Sequence, residues 1–190
     1  MRRFSTLVET FPRVRATTVL CVKKSNETVI MADGQLTLGS VISKSSVKKV
    51  RKIANGQAVI GFAGAAADCM AVVNLLEKRL ESSPGQLAKT CVDVAMAWRT
   101  DRAFQRVQAN VIVADPNVIL MLTGDGNVLE PQDGVLGTGS GGDFAVAAAR
   151  ALYPLPEMTA EEICRRAMRV AADMCIYTNH NFISEKILSE

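Results

Sequence analysis

"RVRATTVLCV", residues 13–22, runs from two closely spaced arginines into a threonine pair and an apolar, β-branched stretch, with no glycine, proline or polar linker between them. From Thr17 onward the run reads as a buried strand. What precedes it has a different character. Residues 1–16 hold Arg2, Arg3, Arg13 and Arg15 against the single acid Glu9, which accounts for the whole net charge of +3, and the remaining acids and bases balance. An arginine-rich, acid-poor leader with Ser5 and Thr6 and no long apolar core matches a mitochondrial transit peptide better than a secretory signal. A basic tail that stays attached is the alternative. Arg15 stands two residues before Thr17, the arginine-minus-two spacing of mitochondrial processing, and a cut there would make Thr17 the first residue.

The other 174 residues suit one domain: 190 residues with 48% hydrophobic content bury a single substantial core. No apolar run approaches the roughly 18 residues that span a bilayer. A charge-balanced domain also lacks the basic surface that nucleic-acid binding requires. Cys21, Cys69, Cys91, Cys164 and Cys175 are odd in number and scattered, with only His180 to join them. That excludes a zinc site or a disulfide framework and reads as buried, reduced thiols.

Periodicity divides the domain into blocks. "TTVLCVKK" and "ETVIMAD" flank a Ser25-Asn26 turn, and further strands lead to a second turn at Asn55-Gly56 and "QAVIGFAG". Ala66, Met70, Val73, Leu76 and Leu80 then recur at helical spacing, closed by Pro84-Gly85. A second helix carries Leu87, Cys91, Val94 and Trp98 on one stripe, with Arg99, Arg102 and Arg106 beyond it. Strands return in "NVIVAD" and "VILMLT", joined at Asp115-Pro116-Asn117 and followed by a Gly124-Asp125-Gly126 turn. A helix is expected from Asp143 to about Leu152. Another opens on the capping box Thr159…Glu162, and "NFISEKIL" closes the chain as a strand. This grouping favours α+β, helices packed on antiparallel sheets, over a βαβ alternation.

Two features carry candidate chemistry. Gly137-Thr138-Gly139-Ser140-Gly141-Gly142 is a literal G-x-G-x-x-G with Glu161 and Glu162 about twenty residues on. As a dinucleotide site it would need the first βαβ of a parallel sheet, and antiparallel-looking strands precede it; the other reading is a tight strand-to-helix turn. The second feature is Thr17. Two β-branched residues starting a strand are unremarkable, but a processed Thr17 would be an amino-terminal nucleophile whose α-amine, of pKa near roughly 8, is its own base. That chemistry needs a cation and an acid near the amine. Asp33 ends a strand, and Lys49 lies in the cluster Lys44, Lys48, Lys49, Arg51, Lys52. Lys49 shares strand parity with Val47, Arg51 and Ile53, so at least one cation faces the apolar side, where burial demands a partner.

The words "TT", "ADGQ" with "TLG", "VKKVRK", "GFAG", "WRTDR", "TGDG", "GSGG" and "CIYTNH" stand in this order from Thr17 nearly to the end. In this the chain resembles the HslV (ClpQ) family of proteasome-like threonine peptidases, and only the leader falls outside the likeness. The resemblance implies the N-terminal-nucleophile hydrolase fold, a four-layer αββα sandwich over residues 17–190. It implies Thr17 as nucleophile and base, Lys49 lowering the amine pKa, and Asp33 holding Lys49. It makes Ser140 a residue that orients the amine and Gly64 an oxyanion-hole N–H donor. It further implies a monovalent cation, Na+, on the carbonyls of Ala172, Cys175 and Thr178, with Ala172 where glycine is frequent. Implied partners are a hexameric AAA+ ATPase of the HslU type, which uses the ATP, and copies of the chain in two stacked six-membered rings. Substrates would be unfolded proteins, and a leader absent from the bacterial family points to the mitochondrial matrix. A non-catalytic ring subunit of the same fold is the rival from another class.

Overall fold

The computed structural model describes residues 14–15, 17–100 and 109–189. The chain order is β1 Val14–Arg15, β2 Thr18–Lys24, β3 Glu27–Asp33, β4 Leu36–Leu38, β5 Val41–Lys44, β6 Val50–Ile53 and β7 Ala58–Gly64. Helices α1 Ala66–Ser82 and α2 Leu87–Thr100 follow. Strands return as β8 Ala109–Ala114, β9 Ile119–Leu122, β10 Val128–Leu129 and β11 Val135–Gly139. Then come α3 Gly142–Leu152, α4 Ala160–Met174 and β12 Phe182–Leu188.

Two sheets form the centre, one in the order β10-β9-β8-β7-β6 and the other β11-β2-β3-β12, and every ladder in them is antiparallel. They face each other through Val19, Cys21, Ile30 and Ala32 on one side and Val50, Val59, Ile112 and Ala114 on the other. Alternate residues of β2 and β3 point the opposite way: Leu20, Val22, Val29 and Met31 pack on α3 and α4 through Ala145, Ile163, Ala167 and Met168. On the outer face of the five-stranded sheet, Ile60, Val111 and Val113 pack on Leu76, Cys91, Val94 and Trp98 of α1 and α2. Both faces of both sheets are thus apolar, which is why these strands read as continuous hydrophobic runs instead of an alternation. The four-layer αββα order expected from the sequence is what results.

Local chemistry fixes the joints. Ser25 takes φ 54° in the two-residue turn that pairs Lys24 with Glu27. The Asn55-Gly56 hairpin is longer than a two-residue turn: Ile53 pairs with Ala58, and Ala54, Asn55 and Gly56 all have positive φ. In α4, the Thr159 hydroxyl accepts from the Glu162 N–H while the Glu162 carboxylate accepts from the Thr159 N–H. Such a cap contributes about 1 kcal/mol.

Two sequence expectations are corrected. Met70 is 37% exposed; Val73, Leu76 and Leu80 are buried as expected, and Cys69 and Val72 complete the buried face of α1 in its place. Lys49 is not inside a regularly alternating strand. It precedes β6, in which Val50 and Ile53 are the buried residues, and charge pairing rather than parity takes it inside. In the leader, Val14 and Arg15 pair antiparallel with Leu38 and Thr37, making β1-β4-β5 a small third sheet. Ala16, Arg102 and Arg106 lie outside the described residues.

Candidate active site

Thr17 immediately precedes β2, at the end where β3 finishes and β11 turns into α3. Because β2 and β3 are joined by a tight hairpin, the first residue of one faces the last of the other: Val19 pairs with Ala32, and Asp33 lies opposite the start of the chain's first long strand. Asp33 is 1% exposed and Thr17 5%. The Asp33 carboxylate collects its donors from four places in the sequence. Oδ1 accepts from the Thr18 N–H at 2.7 Å and from Lys49 Nζ at 3.2 Å. Oδ2 accepts from the Gln35 N–H at 2.9 Å and the Asn179 N–H at 3.3 Å.

Lys49 is 3% exposed and also donates to the Gln35 carbonyl at 2.5 Å. A lone ammonium at such depth would be costly, so the two charges need each other. Burial holds the Lys49 pKa below the ordinary lysine value, and the Asp33 carboxylate opposes that shift. Asp33 therefore joins the cation to the peptide that directly follows Thr17.

The glycine loop closes the other side. The Ser140 N–H donates to the Thr17 carbonyl at 2.8 Å, and the Gly141 N–H donates to the Thr18 hydroxyl at 2.9 Å. Gly139 has φ +89°, and a Cβ there would stand 2.0 Å from the Thr17 carbonyl oxygen. A Cβ on Gly141 would stand 2.3 Å from the Thr18 hydroxyl and 2.7 Å from that of Thr178. The loop is glycine-rich because β2 and the Thr178 turn press against it. Its strand, β11, is antiparallel to β2, which removes the parallel βαβ setting a dinucleotide fingerprint requires.

Gly139→Ala is expected to cost about 1–3 kcal/mol through its left-handed backbone. It should also suppress peptide hydrolysis, since the Ser140–Thr17 bond must shift. Thermal unfolding and a peptide assay check this, and wild-type behaviour in both would contradict the contact.

Gly64 ends β7 with φ 135°, exposed, beside Ala63, which lies 3.4 Å from the place a Gly139 Cβ would take. The end of β7 thus lies beside the glycine loop. Ala172 lies within α4 and outside the positive-φ residues, so alanine fits where glycine is frequent. The helix ends at Met174, which leaves carbonyls of its last turn without helical partners, and the Cys175 carbonyl accepts the Thr178 N–H at 3.0 Å. Carbonyls of Ala172, Cys175 and Thr178 are hard oxygen donors of the kind an alkali cation takes.

His180 stands at the surface with Nε2 3.1 Å from Asp173 Oδ1. All five thiols are buried and unpaired, and burial pushes Cys69 and Cys91 up to about 12, so they are inert.

Sequence reasoning missed Gln35, Thr18 and Asn179 as members of the site, and it named Thr178 only for its carbonyl. The Thr18 and Thr178 hydroxyls bond at 2.7 Å across 160 residues of sequence, and no spacing rule reveals such a pair.

The proteasome subunit family matches residues 14–187. The chain belongs to the proteasome family. Within it, the relatives are of HslV type. The ATP-dependent protease subunit HslV of Paramagnetospirillum magneticum is 49% identical over 176 residues, covering 93% of this chain and 97% of that protein. That of a Wolbachia species is 45% identical over 171 residues, covering 90% and 97%. The crystal structure of eukaryotic HslV from Trypanosoma brucei superposes with a TM-score of 0.87 at 42% identity, over 90% of this chain and 99% of that one. A Thiobacillus denitrificans protein, BPH, shares the fold at 19% identity and a TM-score of 0.73. HslV proteins are threonine peptidases, so the chain is a peptide-bond hydrolase of that type, as its sequence resemblance implied.

Proposed function

We propose that the chain, once it begins at Thr17, is the proteolytic subunit of an HslVU-type ATP-dependent protease acting on unfolded polypeptides. The observation that carries this reading is the buried Asp33 carboxylate, shared between Lys49 and the Thr18 N–H immediately after the nucleophile. In the reaction, the freed α-amine of Thr17 takes the proton of its own hydroxyl, and Oγ1 attacks the scissile carbonyl. The Lys49 ammonium favours the unprotonated amine by charge repulsion, and Asp33 keeps that ammonium in place. Ser140 fixes the Thr17 backbone, and the Gly64 N–H stabilises the oxyanion of the tetrahedral intermediate. Collapse releases the amine product and leaves an ester on Thr17, which water hydrolyses with the same amine as base.

The carbonyls of Ala172, Cys175 and Thr178 would hold Na+, which would brace the turn bonded to Thr18. The partners of this reading are a hexameric HslU-type AAA+ ATPase, which consumes ATP and feeds substrate, and further copies in two stacked six-membered rings. Residues 1–16 serve as a mitochondrial transit peptide and the enzyme works in the matrix, a reading supported by the leader's composition and by a family match that begins only at residue 14.

The test is the N-terminal sequence of the purified protein. A start at Thr17 is expected, whereas active enzyme starting at Met1 or Ala16 would refute the mechanism, because the α-amine would then be absent from Thr17.

A further inference from the structure

The site contains one polar side chain that the reaction above does not use and that touches three of its segments. Asn179 follows α4 in the turn leading to β12, 146 residues from Asp33. Its backbone N–H donates to Asp33 Oδ2 at 3.3 Å. Its side-chain Oδ1 accepts from the Gly34 N–H at 3.2 Å and the Asn181 N–H at 3.1 Å, and its Nδ2 donates to the Ser45 carbonyl at 2.9 Å. Two donors on one atom and a carbonyl on the other fix which end of the carboxamide is oxygen. The same turn grips the neighbouring residue: Gln35 Nε2 donates to the Ile176 carbonyl at 3.0 Å, and the Gln35 carbonyl receives Lys49 Nζ.

We propose that Asn179 is a positioning residue for the peptidase reaction, its carboxamide clamping the Asp33-Gly34 peptide to the β5–β6 connection so that the carboxylate meets Thr18 and Lys49 together. The proposal rests on the assignment of Thr17, Asp33 and Lys49 above. Asn181 Nδ2 also donates to the Ser45 carbonyl, at 2.9 Å, but no other side chain among the described residues bonds to both that carbonyl and the Gly34 N–H; without Asn179, β3 and the approach to Lys49 keep the Val47 N–H on the Gly34 carbonyl at 2.9 Å and the bonds of Lys49 itself. A carboxylate free to swing would hold Lys49 less firmly. A buried ammonium with a weaker partner loses its proton more readily, its repulsion of the Thr17 ammonium declines, and the amine pKa rises. The acid limb of the pH profile therefore moves to higher pH. The charged groups around this segment are Lys49 itself, Lys48 with Glu185 of β12 at 3.6 Å, and His180 with Asp173 of α4 at 3.1 Å. The last four are at the rim, where solvent screens them.

Asn179→Ala removes the clamp and keeps the backbone N–H. Asn179→Asp is nearly isosteric and keeps an acceptor for Gly34, but it places a second carboxylate beside Asp33. Both are compared with wild type in the mature, assembled enzyme supplied with its ATPase, using a fluorogenic peptide across the pH range. For Asn179→Ala, kcat is expected to fall about tenfold with KM within about twofold, and the acid limb of kcat/KM to rise by about half a pH unit. For Asn179→Asp the limb is expected to rise by about one unit. An acid limb unmoved in Asn179→Ala overturns the proposal, whatever happens to kcat, since a merely structural residue would change the amount of active enzyme and not its titration, whereas Asn179→Asp adds a charge that moves the limb with or without the clamp. Thr17→Ala is assayed alongside. Activity there would refute the catalytic assignment itself, whereas an inactive Thr17→Ala with an unmoved limb in Asn179→Ala refutes only the role of Asn179.

Discussion

Thr17→Ala, produced with residue 17 as the first residue, is expected to lower peptide hydrolysis by at least about a thousandfold while the subunit folds and assembles as wild type. The size of the loss follows from what the substitution removes. Alanine has no hydroxyl, so no acyl-enzyme forms, and the α-amine that remains has nothing to deprotonate but water. The fold, in contrast, uses the backbone of residue 17. Its carbonyl accepts from the Ser140 N–H at 2.8 Å, and a bond to Asp33 comes from the N–H of Thr18, both of which alanine retains. Thr17→Ser keeps the hydroxyl and should keep much of the rate. Circular dichroism and gel filtration establish that the alanine variant is intact, and a peptide assay reads the loss. Substantial activity in an intact Thr17→Ala would remove Thr17 from the reaction.

Much of this arrangement is legible in the sequence where the determinants are local. Strands β2 and β3, the capping box of α4 and the stripe of α2 follow from turn chemistry, cap spacing and periodicity within about fifteen residues. Two of the catalytic candidates, Asp33 and Lys49, could be nominated because a cation and an acid on buried strands must find each other, and the family resemblance gave them their roles. Parity, however, gave the wrong reason for the burial of Lys49, since β6 is short and Val50 and Ile53 do not alternate in it. Met70 misled for a related reason: helical spacing finds a stripe but not its edge, which the packing of α1 on β7 and β8 decides. The glycine loop was ambiguous because G-x-G-x-x-G records only that something comes close to the backbone. The pairing of β11 with β2 identifies that neighbour as Thr17 and Thr18. Asn179 had no local signal at all, because its partners Gly34 and Ser45 lie more than 130 residues away.

Lys49→Met should abolish activity and also destabilise the subunit, by about 3–5 kcal/mol if the loss is that of a buried ion pair broken on one side. The lower end is expected, because Asp33 keeps three N–H donors, from Thr18, Gln35 and Asn179. Those donors solvate the carboxylate in place of water but supply no net positive charge. The double variant Lys49→Met, Asp33→Asn removes both charges and should recover part of the stability while remaining inactive, which separates the structural effect from the catalytic one. The pH dependence has a definite sign. Burial lowers the Lys49 pKa in the folded state, so folding is penalised while Lys49 is charged, and the penalty is relieved as pH rises from that lowered value towards the ordinary 10.5 of the unfolded chain. The stability gap between wild type and Lys49→Met should therefore widen over that alkaline window, as read by denaturant unfolding at a series of pH values. A gap that narrows there would mean that Asp33 raises the Lys49 pKa by more than burial lowers it. The activity of the double variant would then be the remaining measure of whether the cation, rather than the stability it confers, is what the Thr17 amine requires.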